Sequence, residues 1–215
     1  KPLDTDFLDK KTSKKKPEIA KEKNEPKKKK GKKTFEEIIK DFEKIEGLFT
    51  FYWNREKNKV YLSIYPEQFD KIYLAGLTRQ SGDGYRYDGV SMMGEYPFFL
   101  KRVGEKVQLV EENVKFRAEK NSPSAKAIDN LISNSILASS KIVGPPNEKT
   151  GEILVSAENL FLRDFAGTGS SRQSKYKLDK SNSYYENIQS FPFNSEIGVA
   201  LHFTSSSAGY TFTLP

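Results

Sequence analysis

The spacing of apolar and polar positions divides this chain at Thr34. From there Phe35, Ile38, Ile39, Phe42 and Ile45 recur every three or four residues, the mark of an amphipathic helix. Thr34 and Glu37 form a T-x-x-E capping box, in which each side chain satisfies a free backbone N–H of the other. Glu36 can pair with Lys40 one turn on, and Gly47 is placed to end the helix in the left-handed C-terminal position. The spacing therefore predicts one helix running from the Thr34 cap to the Gly47 stop.

Beyond Gly47 the period becomes two. Leu48–Trp53 and Lys59–Tyr65 are β-rich, with Val60, Leu62 and Ile64 alternating against Tyr61, Ser63 and Tyr65, and the polar Asn54–Asn58 joins them as a hairpin. Ile72–Thr78 reads as a third strand. Phe98–Val103 and Lys106–Val110 flank Gly104-Glu105, where a leading glycine suits a type II′ turn. Asn113–Arg117 alternates again. A second helix is predicted over Ser124–Ile132, capped by Ser122, with Pro123 in its first turn and a stripe of Ala125, Ile128, Leu131 and Ile132. Gly144-Pro145-Pro146 breaks the chain, and short strands follow at Glu152–Ser156, Glu196–Phe203 and Gly209–Leu214. The expected fold is mainly β (α+β): antiparallel hairpins with an N-terminal amphipathic helix and one further short helix.

Charge adds a second boundary at the same place. Lys1–Lys33 holds fourteen lysines against six acidic residues, a balance of +8, so residues 34–215 sum to −1 of the chain's +7. This low-complexity segment has too little apolar surface to offset its ordering entropy, and is expected to be a disordered tail or linker. It offers electrostatic attachment to an anionic surface, or is a solvated spacer. The basic excess belongs to the tail, so nucleic-acid binding by the folded part is not expected. Residues 34–215, with most of the 15 Phe and 11 Tyr, can build a core without disulfides, and there is no cysteine to form one. No apolar run is long enough for a transmembrane helix. Lys1 is not an initiator methionine, which suggests an N-terminus removed by export or by cloning.

The chemistry-bearing residues are few. With His202 as the single histidine and no cysteine, zinc sites and Ser-His-Asp or Cys-His nucleophiles have little to draw on. His202, inside the strand-like Val199–Phe203, reads as a hydrogen-bonded structural residue. Gly82-Asp83-Gly84 and Ala166–Ser171 lack the Lys-Ser/Thr of a phosphate loop and read as loops. Glu111 and Glu112 are adjacent on a strand and so point to opposite faces, while Asp83 and Asp88 fit no calcium-loop pattern. Phe49–Trp53 and Tyr184-Tyr185 read as packing residues. Tyr85, Arg86 and Tyr87, set in a glycine-rich stretch, are the candidate recognition loop; no catalytic or metal-binding residue is assigned.

Several segments, in order, resemble a known family: Lys44–Tyr52, Tyr61–Pro66, Glu112–Arg117, Tyr176–Asp179, Ser183–Tyr185 and Ser190–Asn194. Their series is similar to the N-terminal domain of unknown function of large bacterial zinc-dependent metalloproteases, over roughly residues 34–215. The resemblance implies a metzincin-like catalytic domain downstream, holding zinc through an H-E-x-x-H helix in which the Glu is the general base. No residue of this chain matches that motif. It further implies that this module is truncated at its C-terminal end, is exported (periplasmic, outer-membrane-associated or extracellular), needs no cofactor itself, and has the downstream protease domain as its partner. The alternative is a free-standing envelope module binding glycan or peptide, with Lys1–Lys33 as a basic tether.

Overall fold

In the computed structural model, residues 33–80, 90–165, 167–169, 176–205 and 211–214 are described, the last group by backbone alone. Helix α1 (Phe35–Ile39) starts with the expected capping box: Glu37 N donates to Thr34 Oγ1 at 3.2 Å and Thr34 N to Glu37 Oε2 at 2.9 Å. It does not continue to Gly47. The chain turns, and β1 (Glu43–Ile45) pairs antiparallel with β2 (Thr50–Asn54). The physical reason lies in the two faces of the sheet. Ile38, Ile39 and Phe42 pack on one face with Tyr52 and Tyr61, whereas Ile45 packs on the other with Phe51 and Trp53. One straight helix cannot present its stripe to both.

The β2–β3 hairpin forms as expected, with β3 at Lys59–Ile64. A 3₁₀ turn at Pro66–Gln68 leads to β4 (Tyr73–Arg79), then β5 (Ser91–Val103) and β6 (Lys106–Glu111). Gly104 has φ +57°, and Val103 pairs with Lys106 around it, so the two-residue turn falls where predicted. The strand expected at Asn113–Arg117 is irregular. Side-chain amides take its backbone donors: Asn113 N donates to Asn134 Oδ1 and Lys115 N to Asn113 Oδ1, so no partner strand is needed. Helix α2 (Pro123–Leu131) is capped by Ser122 as expected, although Leu131 of its stripe is 83% exposed.

Strand β7 (Ser135–Val143) escaped the sequence reading, as did helix α3 (Glu158–Phe161) and the whole of β9 (Tyr176–Ser190); β8 (Ile153–Ser156), β10 (Ser195–Ser205) and β11 (Thr211–Leu214) did not. All pairings of named strands are antiparallel. They build a curled eight-stranded sheet, β1-β2-β3-β8-β7-β6-β5-β4, and a three-stranded sheet, β11-β10-β9. The fold is mainly β, as the alternation implied. The main core fills the space between the large sheet, α3 and the β9–β10 hairpin, and includes Phe51, Leu62, Leu100, Leu109, Leu160 and Ile188. A smaller cluster under α1 covers the opposite face of β2, β3 and β8 through Phe35, Tyr52, Tyr61 and Leu154.

A ring of hydrogen bonds joins the two sheets. Phe49 N donates to Ser195 Oγ at 3.3 Å, Ser195 and Ser190 hydroxyls lie 2.7 Å apart, and Ser190 Oγ donates to Phe49 O at 2.6 Å. Leu48 N adds a 2.6 Å bond to Phe191 O. Inside the junction Tyr185 is 3% exposed, and its hydroxyl has no hydrogen-bond partner among the described residues. Burial, reinforced by Glu158, pushes that hydroxyl's pKa far up. A phenylalanine keeps the ring and removes the orphaned donor. Tyr185→Phe is therefore expected to stabilise the protein by about 1 kcal/mol in urea unfolding. A loss of stability would mean that the hydroxyl is in fact bonded.

Candidate functional site

An apolar groove of about 470 Å³ lies between the large sheet and the β9–β10 hairpin. Strand alternation builds one wall, because Tyr73, Ala75 and Leu77 of β4 and Tyr96, Phe98 and Leu100 of β5 share one face. The opposite wall comes from the β9–β10 hairpin, with Phe193, Ser195, Ile197 and Val199. Aromatic contacts set its floor and end: Phe49–Tyr73 centroids are 4.9 Å apart, Tyr73–Phe98 5.6 Å, and Tyr96 stacks on Phe165 at 6.4 Å. Among the described residues no charged side chain lines it. Phe193, at its mouth, is 93% exposed, and Leu74 on the rim is 70% exposed.

Charge lies just behind the aromatic end. The Arg163 guanidinium sits over Phe165 at 5.4 Å; its Nη1 is buried, and among the described residues it has neither a hydrogen-bond partner nor an ion-paired carboxylate. The neighbouring Asp164 is already engaged, accepting from Thr168 N at 2.8 Å and Gly169 N at 2.6 Å. Burial pushes the Tyr96 hydroxyl pKa up, with Arg163 opposing the shift and Glu111 adding to it.

A polar cluster that sequence reading missed lies under the loop after β7. Glu152 is 3% exposed and accepts from Ser63 Oγ at 2.7 Å and Asn147 Nδ2 at 3.2 Å. Asn147 also caps its own turn by accepting from Lys149 N and Thr150 N. The arrangement clamps the 144–152 loop to β3 and leaves the carboxylate engaged, so it serves as structure. Nearby, burial pushes the Tyr52 hydroxyl up to about 12, with Glu152 adding and Lys44 opposing. An unfolded tyrosine loses its proton near 10. Between those values the folded state binds more protons than the unfolded, so this contribution is complete below about pH 10 and lost as pH rises toward about 12. Tyr52→Phe should flatten the alkaline fall in denaturant midpoint between about pH 9 and 11.5. An unchanged slope would place the effect elsewhere.

The expected site residues distribute as follows. Tyr85, Arg86 and Tyr87 lie outside the described residues, as do Gly82-Asp83-Gly84 and Asp88. His202 is half-buried on β10, its N–H donating to Ser183 Oγ at 3.0 Å. Glu111 ends β6, and Glu112 just beyond it accepts from Asn134 Nδ2 at 2.8 Å, so the two do not form an acid pair. In the 166–171 segment the described N–H groups of Thr168 and Gly169 are held by Asp164. Tyr185 is core, while its neighbour Tyr184 is 44% exposed on the other face. Among the described residues no group of three or more His, Cys, Asp or Glu is placed to hold a metal ion. None of their helices is long and apolar enough to cross a membrane.

These features define a mainly antiparallel β module whose candidate site is an apolar groove beside a sheet edge. The chain belongs to the family described as Domain of unknown function (DUF5117), which matches residues 92–214, from β5 through β11. No curated protein and no solved structure matches it.

Proposed function

We propose that this chain is the non-catalytic N-terminal domain of a bacterial zinc-dependent metalloprotease, and that it packs against the protease domain and tunes its activity. The observation that carries the reading is the apolar groove with its exposed rim: a lone domain gains nothing by leaving Phe193 and Leu74 in water, whereas a docking surface does. Membership of a domain family of unknown function fits a module that accompanies another activity. The protease part of the reading rests on the resemblance carried by the ordered segments Lys44–Tyr52 through Ser190–Asn194. Zinc would belong to the companion domain, because His202 has no second His or Cys to join it in this sequence. The reading also has the chain exported, with Lys1–Lys33 meeting anionic surfaces in a salt-sensitive way.

The test is co-expression with the downstream part of the reading frame. A complex that survives size-exclusion chromatography, holds about one zinc and shows altered peptidase activity relative to the companion alone is expected. No association, together with unchanged peptidase activity, would overturn the reading.

A further inference from the structure

The edge of β4 points to how such docking works. Pro97 O accepts from Glu112 N at 2.9 Å, so Pro97 directs its backbone toward β6. Within a strand a residue's C=O and N–H point the same way, and in an antiparallel ladder successive residues alternate. Leu74 pairs with Pro97 across β4–β5, so Leu74 directs its C=O and N–H away from β5, out of the sheet, and Gly76 does the same. No described residue pairs with that edge.

The two edges of the eight-stranded sheet differ in protection. β1 has three residues, two of them charged, Glu43 and Lys44. β4 has seven, with neither proline nor charge from Tyr73 to Thr78. Charge, proline and shortness are how soluble proteins block strand addition, and β4 uses none of them before Arg79. The groove runs directly beside it, and behind Phe165, at the groove's aromatic end, the buried Nη1 of Arg163 has no hydrogen-bond partner among the described residues. An anionic neighbour would supply that nitrogen with an acceptor and the guanidinium with an opposite charge.

We propose that β4 accepts an added strand from a partner polypeptide: an extended segment whose apolar side chains alternate into the groove and which carries a carboxylate toward the Phe165–Arg163 end. This rests on the docking reading above and names its chemistry. Backbone bonds to Leu74 and Gly76 give affinity, and the groove selects the side chains.

The test uses the full chain and a fluorescein-labelled peptide of alternating Val and Ile at every second position, bearing Glu near one end, with a Lys-for-Glu peptide as the comparison. Fluorescence polarisation should show saturable binding of the Glu peptide. Gly76→Pro removes an outward N–H without touching the β4–β5 ladder, and Leu74→Lys places a charge on the edge. Each should weaken binding about tenfold, the scale of one or two lost hydrogen bonds, with the circular dichroism spectrum unchanged. The Lys peptide should bind several-fold more weakly, and Arg163→Gln should erase that difference. No saturable binding, equal binding by folded Gly76→Pro and Leu74→Lys, or equal affinity for both peptides would overturn the proposal. Co-purification with the companion domain separates the two failures. If peptide binds but the companion never associates, the β4 acceptor stands and the protease reading falls. If the companion associates equally with Gly76→Pro, docking runs elsewhere and the β4 proposal falls.

Discussion

Gly47→Ala is expected to lower the unfolding free energy by about 3 kcal/mol, read from urea denaturation, at the upper end of the usual overpacking cost. A Cβ at this position would lie 2.5 Å from Phe191 N and 2.5 Å from Ser190 C, and would also strike Ser190 Oγ. Two of those atoms are backbone, so no rotamer change relieves the clash. Either the 47–49 segment or the β9–β10 hairpin must retreat, and the hydrogen-bond ring through Ser190, Ser195 and Phe49 goes with it. The control is Gly76→Ala, where an added methyl meets nothing within 4 Å. That change should shift stability by no more than about 0.5 kcal/mol. Equal effects at the two sites would show that the two sheets are not held at the spacing described.

Phe51→Ala should cost about 3–5 kcal/mol by the same measurement. Phe51 is 1% exposed, faces the main core from β2, and meets the Phe161 ring at 6.4 Å between centroids. Removing the ring forfeits its transfer free energy and leaves a void that rigid strands on both sides cannot close. Phe193 lines the same groove yet is 93% exposed. Phe193→Ala is therefore expected to change stability by less than about 0.5 kcal/mol. If Phe193→Ala proved as damaging as Phe51→Ala, the groove would have to be closed in solution.

Much of this architecture was legible wherever a segment's own chemistry sufficed. The Thr34–Glu37 box, the Ser122-Pro123 helix start and the Gly104 turn each rest on contacts within four residues, and all three stand in the structure. The β2–β3 alternation was legible because it reports two different environments on two faces. Segments whose form depends on distant partners were misread. Ser135–Val143 carries three serines and no clean alternation, and becomes a strand because β6 and β8 offer ladders on both sides. Glu43–Ile45 continues a helical stripe, yet the free edge of β2 captures it.

The candidate site followed the same division. The aromatic residues that build the groove were visible, and reading them as packing residues was sound for Phe51 and Tyr185. What local pattern could not reveal is that Tyr73, Phe98, Phe165 and Ile197, up to more than a hundred positions apart, converge on one hollow. Nor could it reveal that Glu152, one acid among many, is buried against Ser63.

By itself, the sequence determined the mainly β class, the caps and tight turns, the basic character of Lys1–Lys33, and the scarcity of His and Cys. These are properties of composition and of neighbours along the chain. Tertiary structure alone decided which strand is an edge, which aromatic ring is buried and which arginine is brought behind the groove's aromatic end. Strand order, inter-sheet spacing and the dielectric around a charge arise only when segments far apart in the chain compete for the same hydrogen bonds and the same apolar surface.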